Sequence, residues 1–234
     1  MTVPAELAGR AFVEALVDAG VTDACITPGS RSTPLTAALA RHAAIKPWLH
    51  LDERSSAFFA LGLARATGRP VAVVCTSGTA AANFHPAVAE ANLARVPLLL
   101  CTTDRPPRLR DVGAEQTIPQ PGMFGPNVRW TADLPVPIGA EGENTIFTAA
   151  ARRAVRAALG PLPGPVHLNL PFDEPLISSP GDPPWSGTAR PGTRPVAPQL
   201  VPSSADIERA TAVLRGACRP LVVAGPETGG LPAG

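Results

Sequence analysis

Four short polar segments, each directly after an apolar run, contain side chains that could do chemistry. They are residues 27–33, 52–54, 76–79 and 104–110. The first contains Arg31, and the last has three arginines in six residues; a guanidinium is a planar donor that suits a carboxylate or a phosphate. Glu53, in the second, could transfer a proton. Gly78, in the third, would let a ligand approach the backbone closely.

Each segment also has a purely structural interpretation. Residues 27–33 suit an ordinary turn in which Ser32 or Thr33 caps the next helix. Glu53 could simply be one of the acids that favour a helix N-terminus. Residues 76–79 suit a tight strand-to-helix turn, and residues 104–110 a solvated charged loop. The residues alone leave these alternatives open.

The rest of the first 170 residues alternates between two kinds of pattern. Short apolar runs predict strands and longer amphipathic or Ala-rich runs predict helices. Strands of four to seven residues separated by helices predict an α/β fold with a parallel sheet, in which ligands bind at the carboxyl ends of the strands. All four polar segments follow predicted strands. The predicted strands are 23–27, 48–51, 71–75, 96–102 and 166–170, and the predicted helices are 4–17, 33–43, 54–67, 77–93 and 145–159.

Composition narrows the class of protein. The chain has 234 residues, with 20 Lys and Arg against 19 Asp and Glu, so its net charge is +1. That balance argues against a sequence-independent nucleic-acid binder, which needs a strong basic excess. Apolar residues make up 45% of the chain, yet no run approaches the roughly 20 residues that span a bilayer. Residues 1–6 lack the pattern of a secretion signal. We expect a cytoplasmic globular protein that binds neither nucleic acid nor membrane.

The cysteines and histidines predict no metal site in this chain. Cys25, Cys75, Cys101 and Cys218 lie far apart, and three of them sit in apolar runs, so reduced core thiols are expected rather than disulfides. The four histidines show no metal-ligand spacing, and we expect them to be packing or surface residues.

The pattern changes in a proline-rich stretch after residue 160. Residues 161–202 contain 12 of the 29 prolines, which is typical of an extended linker. Residues 204–215 then predict a helix capped by Ser203 or Ser204, and residues 219–224 predict a strand. We therefore expect a first domain at 1–175, a linker at 176–203, and the start of a truncated central domain at 204–234.

Five ordered motifs resemble one enzyme family. They are TPGSRSTPL at 27–35, LDER at 51–54, TSGTAAAN at 76–83, TDRPPRL at 103–109 and QPGMFG at 120–125. The chain resembles the 2-succinyl-5-enolpyruvyl-6-hydroxy-3-cyclohexene-1-carboxylate synthases, thiamine-diphosphate enzymes of menaquinone biosynthesis, from about residue 8 to residue 175. The resemblance implies a transferase that decarboxylates 2-oxoglutarate and adds the remaining four-carbon unit to isochorismate.

The resemblance also implies an architecture. A flavodoxin-like pyrimidine-binding domain would precede a central domain and a diphosphate-binding domain, in a homodimer or homotetramer. Thiamine diphosphate would bridge two subunits. Mg²⁺ and the diphosphate would be held by the third domain through a GDG-and-Asn motif, which these 234 residues lack. We therefore expect Mg²⁺ outside this chain and no catalysis by the chain alone.

Roles carry over by position to eight residues. Glu53 matches the glutamate that hydrogen-bonds the aminopyrimidine ring and favours its imino tautomer. The resemblance assigns isochorismate binding to Ser30, Arg31, Arg105 and Gln116, and part of the pyrimidine pocket to Pro28, Thr76 and Asn83.

Two alternatives remain at this point. The chain could be a split-gene subunit or binding module that completes its site with a separately encoded partner. It could also belong to another thiamine-diphosphate carboligase, such as a relative of acetolactate synthase. The GSRSTPL and DRPP segments argue against the second, because they suit a carboxylate-rich acceptor.

Overall fold

A computed structural model describes residues 2–178, 185, 187 and 201–223. The chain divides into two compact units, residues 1–198 and residues 199–234. In the described part of the chain, no helix is long and apolar enough to cross a membrane.

The first unit is built on a six-stranded parallel sheet, which confirms the predicted fold class. The strands lie side by side in the order β2-β1-β3-β4-β6-β5, and every neighbouring pair is parallel. All six carboxyl ends therefore face the same edge, called the carboxyl edge below. The strands are β1 (Asp23–Ile26), β2 (Lys46–Leu49), β3 (Val71–Cys75), β4 (Leu98–Asp104), β5 (Thr131–Asp133) and β6 (Val166–Pro171).

Helices cover both faces of the sheet. Alternate residues of β3 point to opposite sides: Ala72 and Val74 belong to one core cluster, and Val71, Val73 and Cys75 to the other. Because both faces are buried, β3 is apolar at every position rather than at every second one. The first-unit helices are α1 (Pro4–Asp18), α2 (Thr33–Arg41), α3 (Glu53–Thr67), α4 (Thr79–Ala82), α5 (His85–Leu93) and α6 (Asn144–Ala158).

The main differences from prediction in the first unit concern two predicted elements and one strand that was not predicted. The strand predicted at 48–51 is β2, two residues earlier. The helix predicted at 77–93 is two helices, because Pro86 has no N–H to donate and its ring would clash with the carbonyl four residues before it. β5 was not predicted; it has only three residues, none of them buried, so its sequence has no continuous apolar run.

The second unit contains α7 (Ser204–Gly216). Ser203 caps this helix: its Oγ accepts from the Asp206 N–H at 3.2 Å, and the Asp206 carboxylate accepts in return from the Ser203 N–H at 3.2 Å. This reciprocal pair confirms one of the two predicted caps. The predicted strand at 219–224 is wrong where the structure describes it, since 219–223 form no strand. Residue 224 and most of the predicted linker lie outside the described residues.

Candidate functional site

The topology brings the four polar segments of the sequence together at the carboxyl edge. Residues 27–32 follow β1, Glu53 follows β2, Thr76 follows β3 and Arg105 follows β4. These four strands are adjacent in the sheet, in the order β2-β1-β3-β4. The side chains that the sequence singled out separately therefore form one neighbourhood, where parallel sheets bind ligands.

The loops after β1 and β3 touch through a glycine. A Cβ placed on Gly29 would lie 2.5 Å from Cβ of Thr76, a distance that real Cβ atoms do not reach. Gly29 has extended backbone, with φ −166°, so steric contact rather than conformation requires glycine here. The Thr27 N–H and Oγ both donate to the Val74 carbonyl, at 3.0 and 3.1 Å, which holds the loops in this position. Pro28 and Thr76 thus belong to one wall of the site.

Glu53 begins α3. Asp52 caps the helix by accepting from the Ser55 N–H at 3.0 Å, and that bond lowers the pKa of Asp52. Burial raises the pKa of the Cys75 thiol at the end of β3 well above its ordinary value, and the charge of Glu53 raises it further. The charge of Glu53 is therefore felt at the carboxyl end of β3. Its carboxylate has no hydrogen bond or ion pair with any other described residue, which leaves it available to a ligand.

Arg31 is a buried cation whose hydrogen-bonding capacity is only partly used. The residue as a whole is only 6% exposed to solvent. Nη1 donates to the Phe172 carbonyl at 3.0 Å, and Nη2 lies 3.4 Å from Oε1 of Glu174. The Nε–H is buried and has no hydrogen-bond partner among the described residues. Burial and, second, the charge of Arg105 lower the pKa of Arg31, opposed by Glu174 and Asp173. A guanidinium with an unpaired N–H suits an anionic ligand.

Ser30 lies on the same loop but is exposed. It begins a short 3₁₀ turn, residues 30–32, that leads into α2. The Ser30 carbonyl accepts from Oγ of Thr33 at 2.7 Å. This bond fixes the turn and uses no atom of the Ser30 side chain, so that hydroxyl can meet a ligand.

Arg105 and Gln116 both contact Ser77. Nη1 of Arg105 lies 3.4 Å from the Ser77 hydroxyl, and Nε2 of Gln116 donates to the Ser77 carbonyl at 2.9 Å. Gln116 has φ +53°, a left-handed conformation that is strained for a residue with a side chain. The structure thus joins two residues that lie eleven positions apart in the sequence.

The structure does not bring Asn83 together with the other candidate residues in this way. It ends α4, its side chain is exposed, and its Nδ2 donates to the Thr79 carbonyl one turn earlier at 3.2 Å. This contact caps the short helix and gives no further support to a role in the site.

Among the polar side chains beneath the edge, the segments and motifs singled out in the sequence include Asp104, Arg110 and Gln120 but not Asn169 or Asp133. Asn169, buried on β6, donates to Asp104 at 2.9 Å and to Asp133 at 2.8 Å. Arg110 holds both carboxylates, at 3.0 Å from Asp104 and 2.8 Å from Asp133. Gln120 is fully buried beside them. The available signal was a polar residue within an apolar strand, since such residues are usually paired when buried.

Neither histidines nor carboxylates form a metal site in the part of the chain that the structure describes. No group of three or more His, Cys, Asp or Glu side chains is arranged to hold an ion there. His42 and His167 are buried, whereas His85 is exposed. All four cysteines are free, with Cys25, Cys75 and Cys101 buried and Cys218 exposed.

Comparison with known families gives a match over the same region. Residues 7–123 match the family model described as thiamine pyrophosphate enzyme, N-terminal TPP binding domain. The matched range includes every residue that the sequence assigned to the site, from Pro28 to Gln116.

Curated relatives are similar over a longer stretch. The 2-succinyl-5-enolpyruvyl-6-hydroxy-3-cyclohexene-1-carboxylate synthase of Chloroflexus aurantiacus is 59% identical over 167 residues, covering 71% of this chain and 28% of that protein. The synthase of the same name from Haloarcula marismortui is 47% identical over 238 residues, covering 95% and 40%. That of Rubrobacter xylanophilus is 49% identical over 222 residues, covering 93% and 38%. These relatives confirm the resemblance seen in the motifs, and the chain spans 28–40% of their length.

Proposed function

Because the chain belongs to the thiamine pyrophosphate enzymes, whose N-terminal TPP-binding domain it contains, we propose that it is the N-terminal part of a 2-succinyl-5-enolpyruvyl-6-hydroxy-3-cyclohexene-1-carboxylate synthase. Such an enzyme decarboxylates 2-oxoglutarate and adds the four-carbon unit to isochorismate. Arg31, Arg105 and Glu53 follow β1, β4 and β2 at the carboxyl edge of one parallel sheet, and this placement supports the proposal best, since it offers cationic donors and a carboxylate at one sheet edge. The relatives do not favour the split-subunit or acetolactate-type alternatives.

The residues present fit the pyrimidine half of thiamine diphosphate. Pro28 and Thr76 lie on loops that touch through Gly29, and Glu53 presents a carboxylate with no partner among the described residues. When bound, the cofactor supplies the electron sink for decarboxylation and carbon–carbon bond formation. Glu53 would hold a proton at a ring nitrogen of the pyrimidine. Asn83 would belong to the outer rim of this pocket.

Four residues would bind the acceptor, which carries carboxylates. Arg31 would donate its free Nε–H, and Arg105 its guanidinium, to carboxylate oxygens. The strained Gln116 would present its amide beside Arg105, and Ser30 its exposed hydroxyl. Charge-assisted hydrogen bonds of this kind are about twice as strong as neutral ones, and they fix the orientation of a planar carboxylate.

Further parts of the enzyme would come from outside these residues. Large apolar side chains of the β2–α3 segment are exposed: Leu49, Leu51, Phe58 and Phe59. Exposed apolar patches of this kind suit contact with another subunit, which supports a homodimer or homotetramer. A second subunit would supply the diphosphate and Mg²⁺ site and shield Glu53 from water.

The test uses the complete enzyme with thiamine diphosphate and Mg²⁺. Product should form from 2-oxoglutarate and isochorismate and should not form when pyruvate replaces 2-oxoglutarate. Glu53→Gln should lower kcat by about 10²- to 10⁴-fold, the usual contribution of a positioned proton-transfer group. Glu90→Gln, an exposed change on α5, is the matched control. Product from pyruvate, or full activity of Glu53→Gln, would contradict the proposal.

A second experiment tests whether the chain needs the rest of the enzyme. The 234-residue chain should show no micromolar affinity for thiamine diphosphate with Mg²⁺, because the diphosphate contacts are charge-assisted and lie elsewhere. Calorimetric titration measures this directly, and micromolar binding would show that the pyrimidine contacts are sufficient.

A further inference from the structure

Gln120 bonds to three elements from a fully buried position. Its Oε1 accepts from the Gly78 N–H at 2.8 Å, in the turn after β3. Its Nε2 donates to the Thr103 carbonyl on β4 at 3.1 Å and to Oδ1 of Asn169 on β6 at 2.9 Å. The side chain is 0% exposed. Loss of this amide would leave buried polar groups unpaired, which is costly.

The hydrogen bond between Gln120 and Gly78 affects the position of Gln116. Gly78 has φ +82°, and a Cβ there would lie 2.8 Å from Cγ of Gln116. Gln116 therefore packs directly on the Gly78 backbone and donates to the preceding Ser77 carbonyl. Any shift of the Gly78 N–H away from Gln120 would move the surface on which Gln116 rests.

The hydrogen bond from Gln120 to Asn169 connects Gln120 to Arg105. Asn169 donates to the fully buried Asp104 at 2.9 Å, and Asp104 accepts from the Arg105 N–H at 2.7 Å. The Arg105 guanidinium also contacts the Ser77 hydroxyl, next to Gly78. Gln120 is thus connected to Arg105 along two routes, one through the turn and one through β6.

We infer that Gln120 is a positioning residue, which holds the Ser77–Gly78 turn where Gln116 and Arg105 can meet the carboxylate-bearing acceptor. This inference rests on the proposed function for the identity of that acceptor. Gln120 itself reaches no ligand, since it is fully buried under the turn. Its loss should therefore alter acceptor binding and leave cofactor binding in place.

Two variants of the complete enzyme test the inference. Gln120→Met has a similar length and makes no hydrogen bond, and it should raise KM for isochorismate at least about tenfold, since misplacing binding groups by about an ångström costs up to about a hundredfold. The Kd for thiamine diphosphate should change less than about twofold. Asn92→Leu is the control. It removes a side-chain amide on α5, away from the carboxyl edge, whose oxygen accepts a hydrogen bond from Arg129.

Gln120→Glu adds a pH-dependent measurement that a change in packing alone would not affect. Its carboxylate can still accept from the Gly78 N–H, but it can donate to Thr103 or Asn169 only when protonated, and burial raises the pKa of such a carboxyl. The ratio of its isochorismate KM to the wild-type value should therefore fall as the pH is lowered from 8 to 6. A ratio independent of pH would overturn the inference.

Hydrogen exchange separates this inference from the proposed function. In Gln120→Met, amides of residues 76–80 should exchange faster than in the wild type, while those of α1 and α6 should not change. If the wild-type enzyme made no product, the proposed function would fail, but this exchange pattern would still report on positioning. Unchanged exchange at 76–80, or a rise in the KM for isochorismate no larger than that of Asn92→Leu, would overturn it.

Discussion

Arg31 donates from Nη1 to the carbonyl oxygen of Phe172 at 3.0 Å, although 141 residues separate them in the chain. This bond joins the loop after β1 to the residue that follows β6. Nη2 meets Glu174, and Nε–H has no partner among the described residues. In the proposed function the planar group would bond the protein and a ligand at once, which a point charge cannot do with fixed geometry.

Arg31→Lys should consequently weaken acceptor binding while the charge is kept. We expect kcat/KM for isochorismate to fall at least about tenfold, because a lysine cannot both bond Phe172 and present a second fixed donor. Steady-state kinetics of the complete enzyme measures this. Arg65→Lys, an exposed change in the last turn of α3, should leave kcat/KM unchanged. Equal activity of the two variants would show that only the positive charge of Arg31 matters.

Two glycine substitutions should have opposite effects on stability. Gly29→Ala should lower the free energy of unfolding by about 1–3 kcal/mol, because its Cβ would overlap Thr76. Gly62→Ala should raise the same quantity by about 0.5–1 kcal/mol, since Gly62 lies within α3 and a Cβ there meets nothing within 4 Å. Urea unfolding of the chain compares them. A stable Gly29→Ala would show that the loops after β1 and β3 can move apart.

His167 should make the fold sensitive to acid. Burial lowers its pKa from 6.5 to about 4 in the folded chain. Between these values the unfolded chain binds the proton and the folded chain does not, so stability is full above about pH 6.5 and falls as the pH drops towards 4. The loss amounts to about 3 kcal/mol, from about 1.4 kcal/mol per pKa unit.

Urea unfolding at several pH values measures this dependence. His167→Gln, which can still bond Thr102, should have a smaller slope between pH 6.5 and 4. His85→Gln removes an exposed histidine and controls for the loss of one imidazole. If His167→Gln kept the wild-type slope, other groups would be responsible for it.

The four thiols should differ in reactivity. Burial raises the pKa of Cys25 and of Cys101 to about 12, and that of Cys75 well above its ordinary value. Cys218 is exposed. A thiol reagent should therefore label one cysteine of the folded chain quickly and all four after denaturation. Cys218→Ser should remove the fast phase, and a persisting fast phase would mean that a core strand opens readily.

Much of the fold was predictable from local patterns. The apolar runs of β3 and β4 indicated strands, and each was found within two residues of its predicted bounds. β5 was not predictable in this way, because its stability comes from pairing with β6 rather than from its own residues. The long helix predicted at 77–93 failed at Pro86, where one missing N–H outweighs a favourable alanine content.

The candidate site, like the fold, was predictable from the sequence only in part. Residue types and spacing were sufficient to single out Arg31, Glu53 and Arg105, because each follows a strand in a fold where strand ends meet. The sequence could not show that Gln120 and Asn169 lie beneath them, since a buried amide has no periodic pattern and its partners are 17 to 67 residues away. The residue types that follow each strand can be recognised from the sequence alone. The pairing of buried polar groups depends on which strands become neighbours, and only the folded sheet decides that.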